Sequence, residues 1–101
     1  MAVKLVGLSE AAAMIRDGDQ VAMSGSMDMA PMALVRELIR QGRRGLRFVT
    51  APTGGIGCDM LIGAGVVRSI EFAQVSFGEY GLAPNFRRWV QEGRLVTLDH
   101  T

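Results

Sequence analysis

VAMSGSMDMAPMALVRELIRQGRRGLRFVTAPTGGIG, residues 21–57, decides the fold. Val21-Ala22-Met23 is a short apolar run with the pattern of a buried strand, closed by the small residues Ser24-Gly25-Ser26. Met27 to Ala30 make a loop. Pro31 stands where a helix can open, because its missing N–H has no partner at a first helical position anyway. Leu34, Val35, Leu38 and Ile39 then recur at helical spacing, with Arg36, Glu37, Arg40 and Gln41 on the other face. Gly42 stops this helix. Leu46, Phe48 and Val49 lead a second strand, which runs into Ala51-Pro52-Thr53-Gly54-Gly55-Ile56-Gly57. Strand, helix and strand in succession predict a parallel sheet with right-handed crossovers.

The flanking segments continue the alternation. Ser9 is placed as a helix N-cap, with Glu10 favoured by the helix dipole; Ala11 to Ile15 are mostly strong helix formers, and Gly18 is expected to end the helix. A shorter helix is expected over Cys58 to Ile62, ending at Gly63 or Gly65. Val66, Val67, Ile70, Phe72, Ala73 and Val75 suggest a third strand. Phe77 to Pro84 is a glycine-containing loop, Asn85 to Glu92 reads as a helix stopped by Gly93, and Leu95, Val96 and Leu98 start a fourth strand. No repeat, low-complexity tract or linker interrupts residues 1–101, which read as a single α/β domain. The sequence stops at Asp99-His100-Thr101, directly after a strand. An all-parallel sheet wants both faces covered, so the chain reads as a piece of a larger α/β protein.

Composition excludes several classes of function. Eleven Lys+Arg against ten Asp+Glu give a net charge of +1. Binding to nucleic acid phosphates needs clustered positive charge, and the six scattered aromatics form no platform for bases. Cys58 is the only cysteine and His100 the only histidine. That rules out an internal disulfide and a structural zinc site, and it makes a Ser-His-Asp or Cys-His engine improbable within this chain. No apolar run approaches the roughly 20 residues that span a bilayer, and Met1 to Gly7 has one lysine and too short an apolar stretch for a signal peptide. The expectation is a cytoplasmic protein without membrane contact, resident metal or permanently bound cofactor.

Chemistry then rests on two glycine-rich turns, Ser24-Gly25-Ser26 and Thr53-Gly54-Gly55-Ile56-Gly57. In open α/β sheets ligands bind beyond the carboxyl ends of the strands, where glycines let backbone N–H groups approach an oxyanion closely. The spacing is neither a dinucleotide fingerprint nor a P-loop, and the same glycines also suit plain tight turns. Glu79 and Asp28 sit in loops that can reach a pocket, but no carboxylate pair announces acid–base work. Glu37 is assigned to a solvated helix face. Cys58 reads as a small buried hydrophobe. Arg40, Arg43, Arg44 and Arg47 form a basic knot near a helix end, open either to solvent or to an anionic partner.

The order of segments resembles the N-terminal part of family I coenzyme A transferase alpha subunits, the glutaconate and 3-oxoacid CoA-transferases among them. Three segments carry the resemblance: Asp17 to Ser26 followed by the helix from Pro31 to Gly42, Cys58-Asp59-Met60-Leu61-Ile62-Gly63-Ala64-Gly65-Val66-Val67, and Phe86-Arg87-Arg88-Trp89 with Glu92-Gly93-Arg94-Leu95. Two departures stand out. The first glycine turn reads Ser24-Gly25-Ser26 where the family has Gly-Gly-Phe, and family alpha subunits are considerably longer. The resemblance implies a Rossmann-like open parallel sheet, incomplete relative to the family, that works as an oligomer with a beta subunit. It implies CoA transfer between an acyl-CoA and a carboxylic acid by a ping-pong route, the CoA thioester being substrate rather than cofactor. The nucleophilic glutamate belongs to the beta subunit, so no catalytic residue is assigned here. Substrate-binding candidates are Ser24, Gly25, Ser26, Gly54, Gly55 and Gly57 as backbone donors, with Glu79, Asn85 and Arg87 toward the acyl side. Rival readings are part of an acyl-CoA hydrolase, a small anion binder, and a non-catalytic domain that self-associates through exposed apolar edges.

Overall fold

The alternation of strands and helices builds a four-stranded, wholly parallel sheet in the order β1-β2-β4-β6. The computed structural model describes residues 5–24, 30–51, 53–77 and 81–99. Its elements are α1 (Leu8–Ala13), β1 (Gln20–Ser24), α2 (Met32–Arg40), β2 (Leu46–Ala51), β3 (Thr53–Gly54), α3 (Ile56–Gly63), β4 (Val67–Phe72), β5 (Gln74–Val75), α4 (Pro84–Gln91) and β6 (Val96–Asp99). β3 and β5 pair in parallel as a second, two-stranded sheet.

That small sheet corrects the expectation of one third strand from Val66 to Val75. β4 ends at Phe72, and β5 begins after Ala73. Val49 lies opposite Glu71, but Thr53 lies opposite Gln74, so the register differs by one residue between the two sheets.

Three helices end in the same way. Gly42, Gly65 and Gly93 adopt φ of 72°, 79° and 69°. Each donates its N–H to the carbonyl three residues back, and the next residue closes the outer bond: Arg43 to Leu38, Val66 to Leu61, Arg94 to Trp89. This is the Schellman pattern, which needs a left-handed residue at its centre and so favours glycine. The first helix behaves differently. Gly7, not Ser9, is its N-cap, and it ends at Ala13 rather than running to Gly18. Ser9 lies within the first turn, where its carbonyl accepts Gln41 Nε2 at 3.0 Å. Gly18, at φ 83°, instead shapes the turn into β1 and donates to Arg44 O.

Strand order follows chain order without reversal, so right-handed crossovers place α2, α3 and α4 on one face. Burial agrees. Leu46, Phe48, Thr50 and Ile70 are buried beneath the helices together with Val35, Leu38, Leu61 and Ile62. The register puts Arg47, Val49, Glu71, Val96 and Leu98 on the opposite face. Among the described residues no helix covers that face, and Val96 and Leu98 are 56% and 50% exposed there.

Glu37 is not solvated as the helical pattern suggested. It is 8% exposed, held by Arg40 and by Gln41 Nε2 at 2.8 Å. The hydrogen bond from Arg40, then that from Gln41, keeps its carboxyl below the ordinary range. The basic knot is likewise structural. Arg43 Nε donates to Ile15 O at 2.7 Å, Arg44 to the carbonyls of Ala64 and Gly65, and Arg47 to Gly18 O. These arginines tie down carbonyls at the amino-end rim of the sheet, where helix C-termini leave acceptors unpaired.

Candidate functional site

Because all the strands run the same way, β1, β2 and β4 finish on one rim, and the chain continues from β2 and β4 into the short strands that lead to α3 and α4. Ser24 is exposed at the tip of β1. Gly54 ends β3, and Gly55 is the N-cap of α3, whose amino end carries no side-chain cap. The Ser76 N–H donates to Gly54 O at 3.0 Å, joining the tip of β3 to the segment after β5. Beyond Ser76 the chain turns back on itself: Ser76 and Leu82 form an antiparallel bridge, and Phe77 N donates to Gly81 O at 2.8 Å. α4 then begins at Pro84.

Packing crowds two of the turn glycines. A Cβ at Gly54 would stand 2.9 Å from Thr50 Cγ2 and 3.0 Å from Cys58 Sγ. At Gly57 it would press on Met32 Sδ and Val35 Cγ2, both 3.3 Å away, so this position lets α3 approach α2. The turn therefore serves the core as well as any ligand. Gly54, Gly55 and Gly57 are all buried, Asn85 is half-buried, and Arg87 is exposed on α4. The structure sets Asn85, at the start of α4, against Asp59 and Gly63 of α3, the helix that follows the Gly54–Gly57 turn. Gly25, Ser26 and Glu79 lie outside the described residues.

Asp59, which local pattern gave no role, proves central. It is 3% exposed. Its Oδ1 accepts the Phe86 N–H at 2.7 Å, and its Oδ2 accepts Asn85 N at 3.2 Å and Asn85 Nδ2 at 3.1 Å. A carboxylate from α3 thus caps α4, whose own N-cap, Ala83, has no side chain able to do so. Asn85 Oδ1 in turn accepts Arg88 at 2.7 Å, so the Asn85 amide is held on both sides. One signal was available in the sequence: Asp59 is the only charged residue in an otherwise apolar helix, and a buried carboxylate must find donors.

Cys58 is 4% exposed, as a small buried hydrophobe should be. Burial, with a smaller contribution from the Asp59 charge, pushes its thiol up to about 12 from an ordinary 9.0. Above pH 9.0 the unfolded chain sheds this proton while the folded chain keeps it. Stability therefore falls as pH rises from 9.0 toward about 12, by at most about 1.4 kcal/mol per unit. Urea midpoints between pH 8 and 10.5 should decline more steeply in the native chain than in Cys58→Ala; equal slopes would refute this. Maleimide labelling at pH 8 should proceed no faster than opening of the fold.

A parallel sheet whose strands alternate with helices defines an open α/β fold. Residues 6–100 match the family model Coenzyme A transferase, and the chain belongs to that family. It is 34% identical over 101 residues to the alpha subunit of glutaconate CoA-transferase from Acidaminococcus fermentans, covering 97% of this chain and 31% of the relative. To the corresponding subunit of 3-oxoadipate CoA-transferase from Pseudomonas knackmussii it is 35% identical over 79 residues, covering 78% and 28% respectively. The chain thus spans about a third of the length of these relatives. Among solved structures, a Cys-to-Ser variant of the AibA/AibB decarboxylase superposes with a TM-score of 0.87 at 32% identity, covering 95% of this chain and 38% of that one. The Acidaminococcus glutaconate CoA-transferase structure follows at 0.84 and 31%, covering 95% and 31%. Similarity to CoA-transferase alpha subunits, read from three sequence segments, is thereby established, as is the α/β fold. Among the described residues no helix is long and apolar enough to cross a membrane.

Proposed function

We propose that this chain forms one wall of an acyl-CoA cleft in the alpha-subunit position of a CoA-transferase, and that the nucleophile comes from a beta subunit. One observation carries the division of labour. The two chemically capable side chains beside the glycine turn are both committed: Cys58 stays protonated and buried, and Asp59 has both oxygens filled by α4 donors. In the proposed route a glutamate carboxylate of the partner attacks the thioester carbonyl and expels CoA as thiolate, leaving a mixed anhydride. The thiolate then attacks the glutamyl carbonyl, releasing the first acid and forming a glutamyl-CoA thioester. The second acid takes the CoA by the same two steps in reverse. Each addition places negative charge on a carbonyl oxygen, and backbone N–H groups at Ser24 to Ser26 and at Gly54 to Gly57 are suited to stabilise it. Glu79 and Arg87 are assigned to the acyl side. Asn85 is proposed to shape that side from within the α3–α4 junction.

The likeness to a decarboxylase favours a second reading, in which the same cleft holds a carboxylate that leaves as CO₂. Coexpression with a CoA-transferase beta subunit separates the possibilities. Incubation with acetyl-CoA and a panel of mono- and dicarboxylic acids should yield new acyl-CoA thioesters and a trappable glutamyl-CoA adduct in the partner. Loss of thioester without a new one would mean hydrolysis, and CO₂ release would mean decarboxylation. Self-association with no beta-subunit binding and no thioester consumption would overturn the reading in favour of an interaction domain.

A further inference from the structure

Asp59 does more than its burial requires, and what it joins is informative. It sits in the first turn of α3, directly after the Gly54–Gly57 turn, yet its carboxylate reaches sideways to the first amides of α4. Two other contacts reinforce the junction. The Ser76 N–H binds Gly54 O at 3.0 Å, and Gly63 lies so close to Asn85 that a Cβ there would stand 2.6 Å from the amide. The start of α4 is thereby held against α3 from its first turn, at Asp59, to its last residue, Gly63. An ionised carboxylate accepting three N–H donors is stiffer than a neutral cap, because charge-assisted hydrogen bonds are shorter and stronger.

We propose that Asp59 is a positioning residue for the reaction: it fixes the amino end of α3, with its Gly54–Gly57 amides, against the start of α4, which carries Arg87. The inference rests on the acyl-CoA reading above. Asp59 does not touch the substrate; it keeps the start of α4 packed in register against α3, and so fixes how the Gly54–Gly57 turn and α4 face the thioester. A displacement of either element moves the donors off the developing oxyanion, which costs rate rather than ground-state binding.

The test uses the assembled complex with its beta subunit, acetyl-CoA, and whichever acid of the panel supports turnover. Asp59→Asn sets an NH₂ group against the donors of Asn85 while preserving size. At a temperature well below its melting point, kcat per active site should fall by about tenfold or more, with KM for acetyl-CoA moving less than about threefold. Adding Asn85→Asp returns a side-chain acceptor to the pair and leaves Arg88 its partner, while the backbone N–H of residue 85 still faces the new NH₂ group, so the double variant should recover part of the lost kcat. Should Asp59→Asn fail to fold, Asp59→Glu takes its place. It keeps the charged acceptor but lengthens the arm by one methylene, and should lower kcat by a smaller factor with KM for acetyl-CoA little moved. Unchanged kcat in the folded variants, whatever their melting points, overturns the positioning role and leaves the functional reading intact. A wild-type complex with no thioester chemistry overturns both.

Discussion

Asp59→Ala should melt roughly 10–20 °C below the native chain, a loss on the scale of truncating a large core side chain. The change strands three donors at the junction of α3 and α4: Phe86 N, Asn85 N and Asn85 Nδ2. Each unsatisfied buried donor costs about 1–3 kcal/mol. Phe86 N, with the shortest bond at 2.7 Å, suffers most, while water admitted to the new gap relieves the others in part. A net loss of about 3 kcal/mol in a domain of this length corresponds to a shift of that size. Further harm follows along α4. Phe86 packs edge-on against Phe72 at 5.1 Å, and Trp89 lies under Arg94 at 4.0 Å, so fraying from the amino end loosens a flank of the core. Circular dichroism melts of Asp59→Ala beside Cys58→Ala provide the comparison, since the neighbour removes only a sulfur. A shift for Asp59→Ala of less than about 3 °C would show that solvent replaces the carboxylate without penalty.

Gly63→Ala is the second large effect, and its cause is steric. The added methyl would lie 2.6 Å from both Cγ and Nδ2 of Asn85. That amide cannot swing aside freely, because Asp59 and Arg88 hold it. Either the helices separate or the Asn85 bonds break. The expected destabilisation is about 2 kcal/mol, even after the gain in helix propensity that alanine brings over glycine. A double-mutant cycle isolates the clash. Asn85→Ala alone should destabilise, but in its presence Gly63→Ala should become neutral or mildly stabilising, giving a coupling energy of about 2 kcal/mol. Additive melting shifts would place the harm elsewhere. Gly93→Ala makes a useful contrast: nothing lies within 4 Å of a Cβ there, so its cost comes from a φ of 69° alone.

The features visible in the sequence were those decided within a few residues. Gly42 and Gly93 announce their helix stops because a left-handed residue after a helical run has few other uses, and Pro31 marks the entry to α2 for the same local reason. The parallel sheet followed from alternation, and Cys58 from its apolar surroundings. What escaped was set by distant partners. Ser9 looked like a cap, yet Gly7 served, because the chain enters α1 two residues earlier and Gln41 claims the Ser9 carbonyl. Glu37 fell on the polar face of α2 by spacing, and only the close wrapping of Arg40 and Gln41 buries it. Asp59 meets donors 26 and 27 residues further on, a meeting no window of local pattern could reveal. The division of β4 from β5 follows their pairing with β2 and β3 in turn, and so belongs to the pairs of strands rather than to either one. At the rim, the turn glycines were found from spacing, but the demand of Thr50, Cys58 and Val35 for empty space beside them was not.

The arginine ties at the far rim have a consequence for how such a molecule can change over generations. Arg43, Arg44 and Arg47 draw their strength from main-chain carbonyls, which persist whatever side chains mutation installs nearby. The foundation is thereby insulated from experiments at the opposite end. Substitutions around Ser24 or on exposed α4 positions can change that opposite rim without eroding the anchorage below. A lineage built on this plan is free to vary one end of the sheet while its scaffold stands still.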